Sequence, residues 1–179
     1  MEVQTLYQEA IKFATIKHLE KQQNIPGTDL PYVMHLSNVA MEILIAAHYS
    51  ENFNLGFAVQ VALLHDTLED TSATFGEIEK KFGADIAQGV SALTKNDFLS
   101  KSEKMFDSLN RIKTSPKEVW AVKLADRITN LQEPPSHWDA SKKVEYRQEA
   151  IRILEELKGG SSYLEKRLND KINEYEKYL

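Results

Sequence analysis

The chain has 179 residues, 42% of them apolar and 27% charged, with a net charge of −5 at neutral pH. That length can bury a sizeable core in one domain, and the composition is that of a folded chain rather than a disordered one. The absence of cysteine excludes disulfides, zinc–thiolate sites and thiol catalysis. The acidic balance argues against a general nucleic-acid binder, whose phosphate contacts need a basic face.

In chain order, the opening Met1-Glu2-Val3-Gln4 starts amphipathic structure at once, without the basic and apolar regions of a signal peptide. Leu6, Ala10, Phe13 and Ala14 share one face of a helix over about 3–21. Pro26, Gly27 and Pro31 break it. A second helix is predicted over about 32–47 and a third over about 54–66. The longest apolar run, Val39 to Ala47, is interrupted by Glu42 and is too short to span a bilayer. We therefore expect a cytoplasmic protein that engages no membrane.

Thr74 and Glu77 form a capping-box pattern for a short helix that stops at Gly83. Further helices are expected over about 84–95 and about 102–113. Ser115-Pro116-Lys117-Glu118 reads as a Ser cap with Pro at the first helical position, starting a helix to about Leu131. Another runs over about 139–158 and ends at Gly159-Gly160. The last, over about 162–178, is so highly charged that it reads as a peripheral surface helix or a homodimer contact. No strand alternation occurs, so the fold class is all-α, one domain over 1–179 with its core in about 3–158.

The chemistry concentrates at His65-Asp66. They close the run Val61-Ala62-Leu63-Leu64, and Glu69 and Asp70 follow. Three acids at the C-terminal pole of an apolar helix oppose its dipole, and a bound cation would explain them. His35, early in the second helix, and Asp126, in the apolar Val122-Lys123-Leu124-Ala125-Asp126-Arg127, are the other ligand candidates. We read Asp126 as a metal ligand rather than as a partner of Lys123 or Arg127. Two imidazoles and two carboxylates suit Mn, Fe or Zn better than calcium. They also leave coordination positions for water and a substrate oxygen, the arrangement of metal-assisted hydrolysis. If the third helix persists one more turn, Glu69 and Asp70 share its face with His65 and Asp66 as base, acid or orienting groups.

Three segments carry a resemblance: Pro31-Tyr32-Val33-Met34-His35, Ala62 through Thr71, and Val122 through Leu131. They resemble the H…HD…D pattern of the HD-domain phosphohydrolases. Within these the match is to the hydrolase domain of RelA/SpoT-type alarmone enzymes, particularly the small metazoan forms. The resemblance implies an HD-domain helical bundle that hydrolyses the 3′-diphosphate of ppGpp or pppGpp with Mn²⁺, the alarmones of the stringent response. It assigns His35, His65, Asp66 and Asp126 to the metal and Glu69 and Asp70 to catalysis. Lys123, Asn130, Lys142 and Tyr146 would contact the nucleotide.

One departure bears on specificity. Family members usually carry an Arg-Lys-type pair shortly before the PYxxH motif, where this chain has Gln22-Gln23-Asn24-Ile25. Asn and Ile can neither stack a guanidinium on a base nor pair an ammonium with phosphate. Looser base recognition is expected. The alternatives are hydrolysis of ppApp or NADPH, or a non-catalytic nucleotide-binding regulatory module. His18, His48 and His137 receive no role.

Overall fold

The computed structural model describes residues 2–179. Ten α-helices follow one another: α1 (Val3–Glu20), α2 (Val33–His48), α3 (Leu55–Leu64), α4 (Thr67–Asp70), α5 (Phe75–Phe82), α6 (Ala84–Leu93), α7 (Lys101–Lys113), α8 (Lys117–Asn130), α9 (Ala140–Glu156) and α10 (Ser162–Glu174). A 3-10 turn, Tyr175–Tyr178, closes the chain. Among the described residues the β pairing amounts to one isolated bridge, Asn24 to Pro31. No helix is long and apolar enough to cross a membrane.

The core explains the order of the helices. In α3 every residue from Ala58 to Leu64 is buried, because it lies between α1, α2 and α8 with α6 against it. Fully burying a Leu such as Leu63 or Leu64 stabilises the fold by roughly 1.5–3 kcal/mol. Gly89 allows α6 to approach: a Cβ there would stand 3.0 Å from Val61 Cγ2 and 3.2 Å from Phe57 Cζ.

Local chemistry sets most boundaries as the sequence predicts. Thr74 and Glu77 make the expected capping box on α5, and Ser100 with Glu103 makes a second on α7. Asn54 Oδ1 accepts from the Phe57 amide to start α3. Ser115 departs from the prediction. Its hydroxyl donates to the Arg111 carbonyl at 3.0 Å, closing the preceding helix, and Pro116 becomes the N-cap of α8. A second correction concerns α3, which ends at Leu64 rather than near 66, before a turn and the separate four-residue α4.

A third concerns α10, which is not peripheral. Leu164, Leu168 and Ile172 on it are buried against α8, α9 and α2. Its Arg167 reaches the Glu42 carboxylate at 2.8 Å.

Candidate active site

Three helices deliver the four proposed ligands to one point. His35 sits in the first turn of α2, His65 caps the C-terminus of α3, Asp66 follows it in the turn, and Asp126 lies on α8. One ligand atom from each of His35, His65 and Asp126 falls within 4.8 Å of the other two. The Nε2 atoms of His35 and His65 are 3.4 Å apart. Asp66 Oδ2 is 2.9 Å from His65 Nε2 and 3.7 Å from His35 Nε2. Asp126 Oδ1 is 3.5 Å and 3.7 Å from the same two nitrogens.

The tautomer of His65 follows from its other nitrogen. Nδ1 lies 2.7 Å from the Ala62 carbonyl, an acceptor, so Nδ1 carries hydrogen and Nε2 faces the cluster. Two imidazole nitrogens facing each other across 3.4 Å between carboxylates need a proton or a cation between them. This donor set fits a divalent transition metal. Burial works against charge on His65, but Asp66 beside it outweighs that and raises its pKa well above the ordinary value. Burial likewise disfavours the Asp126 anion, and Lys123 with the two histidines overrides it, lowering the pKa well below the usual range.

Lys123 Nζ lies 3.0 Å from Asp126 Oδ2, so reading Asp126 as lacking a helical partner was mistaken. Residues three apart on a helix are neighbours. Asn130 Nδ2 donates to Asp126 Oδ1 at 2.6 Å. Two of the four residues expected to touch the nucleotide, Lys123 and Asn130, thus hold the Asp126 carboxylate from either side.

Glu69 and Asp70 lie one turn on in the separate α4, where the Asp70 amide donates to the Asp66 carbonyl at 2.9 Å, and both line the same cavity as His65 and Asp66. Each is fixed separately. Lys95 donates to Glu69 from both its backbone amide, at 3.0 Å, and its ammonium, at 2.7 Å. Burial opposes the Lys95 charge, yet Glu69 more than compensates and raises its pKa. Gln23 Nε2 donates to Asp70 Oδ2 at 2.9 Å, while Gln23 Oε1 accepts from His18 Nδ1 at 2.6 Å. Partial burial raises the Asp70 pKa and the Gln23 amide partly counters it.

His18, which received no role from sequence, is buried and stacked on Tyr32 at 4.8 Å between centroids. Tyr32 in turn donates its hydroxyl to Asp66 Oδ2 at 2.5 Å. Burial, reinforced by the Asp66 charge, raises the Tyr32 pKa, which keeps the phenol a donor.

Tyr32, His65, Asp66, Glu69, Asp70 and Asp126 line a cavity of about 380 Å³ that also exposes Lys142 and Tyr146. An adjoining slot of about 190 Å³ shares Asn130, Trp138 and Tyr146 with it and is otherwise walled by Ile25, Pro26, Met34 and Pro135 among others. Tyr146 packs edge-on to Trp138 at 5.0 Å, and Lys142 Nζ lies 5.5 Å from the Trp138 ring centre. Burial lifts the Tyr146 pKa to about 12. The sequence reading missed Gln23, Lys95 and the hydrogen bond of Tyr32. Tyr32 stood inside a quoted motif, whereas Lys95 and Gln23 reach the site only through the fold.

Comparison with known proteins adds independent findings. Residues 10–159 match the HD domain family. MESH1 of Danio rerio, named guanosine-3′,5′-bis(diphosphate) 3′-pyrophosphohydrolase, is 34% identical over 165 residues, covering 89% of this chain and 88% of that protein. Its Homo sapiens counterpart is 33% identical over 165 residues, 89% of each chain. A solved structure described as a metazoan ortholog of SpoT that hydrolyzes ppGpp superposes with a TM-score of 0.81 at 28% identity. That match covers 97% of both chains.

Proposed function

The chain belongs to the HD domain family, and we propose that it is a metal-dependent pyrophosphohydrolase that removes the 3′-diphosphate from ppGpp and pppGpp. The observation that carries this is the convergence of His35, His65, Asp66 and Asp126 where the two cavities adjoin, with His65, Asp66 and Asp126 lining the cavity that also presents Glu69 and Asp70 and His35 lining the adjoining slot. The named activity of the MESH1 relatives supplies the substrate class. Those four residues would hold a divalent ion, manganese in our reading, which would supply Lewis acidity toward a phosphoryl oxygen and acidify water.

The chain's own residues do the rest. Asp70 accepts the proton of the attacking water, held for it by Gln23. Glu69, clamped by Lys95, orients that water. Lys123 and Asn130 keep Asp126 in place, and Tyr32 does the same for Asp66. Lys142 and Tyr146 receive the nucleotide. The bonds change simply: water oxygen joins phosphorus, the 3′-oxygen–phosphorus bond breaks, and the 3′-oxygen takes a proton. The products are GDP or GTP and pyrophosphate.

A second reading is favoured by Ile25 and Pro26, which line the apolar slot where a cationic pair was expected. They would accept an adenine base as readily, in ppApp or NADPH. Assaying ppGpp, pppGpp, ppApp and NADPH with Mn²⁺ and with Mg²⁺ decides between them. Release of pyrophosphate from a 3′-diphosphate is the expected result. Far faster cleavage of NADPH would overturn the alarmone assignment and leave the phosphohydrolase one.

A further inference from the structure

Arg127 is one of three charged residues of the cavity, with Lys104 and Glu149, to which the proposed reaction gives no role. On α8, Lys123, Asp126, Arg127 and Asn130 follow the three- and four-residue spacing of one helix face, and all four line the 380 Å³ cavity. Three lysines of the same lining have close carboxylate partners: Lys95 with Glu69 at 2.7 Å, Lys104 with Asp97 at 2.7 Å, and Lys123 with Asp126 at 3.0 Å. Arg127 differs. It is only 6% exposed, its Nε and Nη1 have no hydrogen-bond partner, and Nη2 makes one long contact to Glu149 at 3.4 Å.

A guanidinium cannot shed its proton to relieve burial. Leaving its donors unmet next to the buried Leu124, Ala125 and Ile128 is therefore costly, and an apolar side chain would suit the position better for stability alone. The Tyr146 ring, 4.4 Å from the guanidinium carbon, supports the flat face of the group but accepts nothing at its edges. Both two-pronged edges, Nε–Nη2 and Nη1–Nη2, are buried and unpaired apart from the long Glu149 contact. That fork matches the spacing of phosphate oxygens.

We propose that Arg127 is a diphosphate-binding residue of the active site, exchanging its contact with Glu149 for the phosphate oxygens of the group that leaves. Presenting a fork to the cavity requires the guanidinium to turn against Tyr146 as the Glu149 contact is released. The inference rests on the phosphohydrolase reading for its ligand class, but its test does not depend on turnover.

The probe is inorganic pyrophosphate, titrated calorimetrically into metal-loaded protein with Mg²⁺ saturating the pyrophosphate. Arg127→Met should weaken its binding by about 10- to 100-fold, with Arg127→Lys recovering part of the loss and metal content unchanged in both. Glu149→Gln, which removes the competing negative charge, should bind pyrophosphate more tightly than the wild type. It keeps the test decisive if Arg127→Met does not fold. Unchanged affinity in a folded Arg127→Met, weaker or equal affinity in Glu149→Gln, or no binding by wild type would each overturn the proposal. If pyrophosphate binds through Arg127 but no guanosine 3′-diphosphate is cleaved, the substrate assignment fails and this one stands.

Discussion

Glu69 and Asp70 are adjacent in sequence yet held by unrelated parts of the chain, Glu69 by Lys95 after α6 and Asp70 by Gln23 in the loop after α1. Among the described residues neither carboxylate is hydrogen-bonded to a side chain of His35, His65, Asp66 or Asp126, although the Asp70 amide donates to the Asp66 carbonyl, so removing either charge should leave the metal in place. We expect Glu69→Gln and Asp70→Asn to keep normal metal content by elemental analysis and to lose about 10²–10⁴-fold in kcat, the range for lost acid–base help. Near-normal kcat in both would reduce the pair to solvated acids. Gln23 allows a finer test. Burial raises the Asp70 pKa, and the amide hydrogen bond stabilises the carboxylate and lowers it. Gln23→Leu removes only the lowering contribution, so the Asp70 pKa should climb further. Since Asp70 must be ionised to accept a proton, the acid limb of the kcat/KM profile should move to higher pH. An acid limb that stays put would separate Gln23 from the chemistry.

At the scale of elements, some boundaries whose partners lie within one helical turn were legible in advance, though the bond from Ser115 back to Arg111 was not. The Thr74–Glu77 capping box and the stop at Gly83 are settled by groups three or four positions apart. The end of α3 was not, because its apolar pattern runs on while Thr67 Oγ1 bonds back to the Leu64 carbonyl at 2.6 Å and the chain turns at Asp66. The role of α10 was hidden for the opposite reason: its charges are real, but one of them answers a charge buried 125 positions away. Glu42 in α2 is 3% exposed, and Arg167 supplies both of its oxygens with a donor. Arg167→Met should therefore strand a buried carboxylate and cost about 3 kcal/mol of unfolding free energy. The double variant Glu42→Leu with Arg167→Met should recover most of that loss in denaturant melts. A single variant as stable as wild type would mean that α10 is held by Leu164, Leu168 and Ile172 alone.

Over the whole molecule, the residues that converge could be picked out from sequence because a histidine or aspartate in an apolar helix is conspicuous at its own position. The contact of Tyr32 with Asp66 could not, since only the completed fold creates it. The same topology links metal and stability. His35 belongs to α2, His65 and Asp66 to the end of α3, and Asp126 to α8, the helices that pack around the core. An ion bound to all four tethers those helices only when they are folded together, and so stabilises the native state by mass action. At a free concentration about a thousand times the dissociation constant the gain is about 4 kcal/mol. For a chain of this size that corresponds to a Tm higher by roughly 8–16 °C. Chelation should lower the Tm by that order, and adding back Mn²⁺ should restore it. His65→Ala should melt at one temperature with or without the ion. A Tm that ignores chelation in wild type, under conditions where elemental analysis shows metal lost, would mean the four side chains meet without holding an ion that matters to the fold.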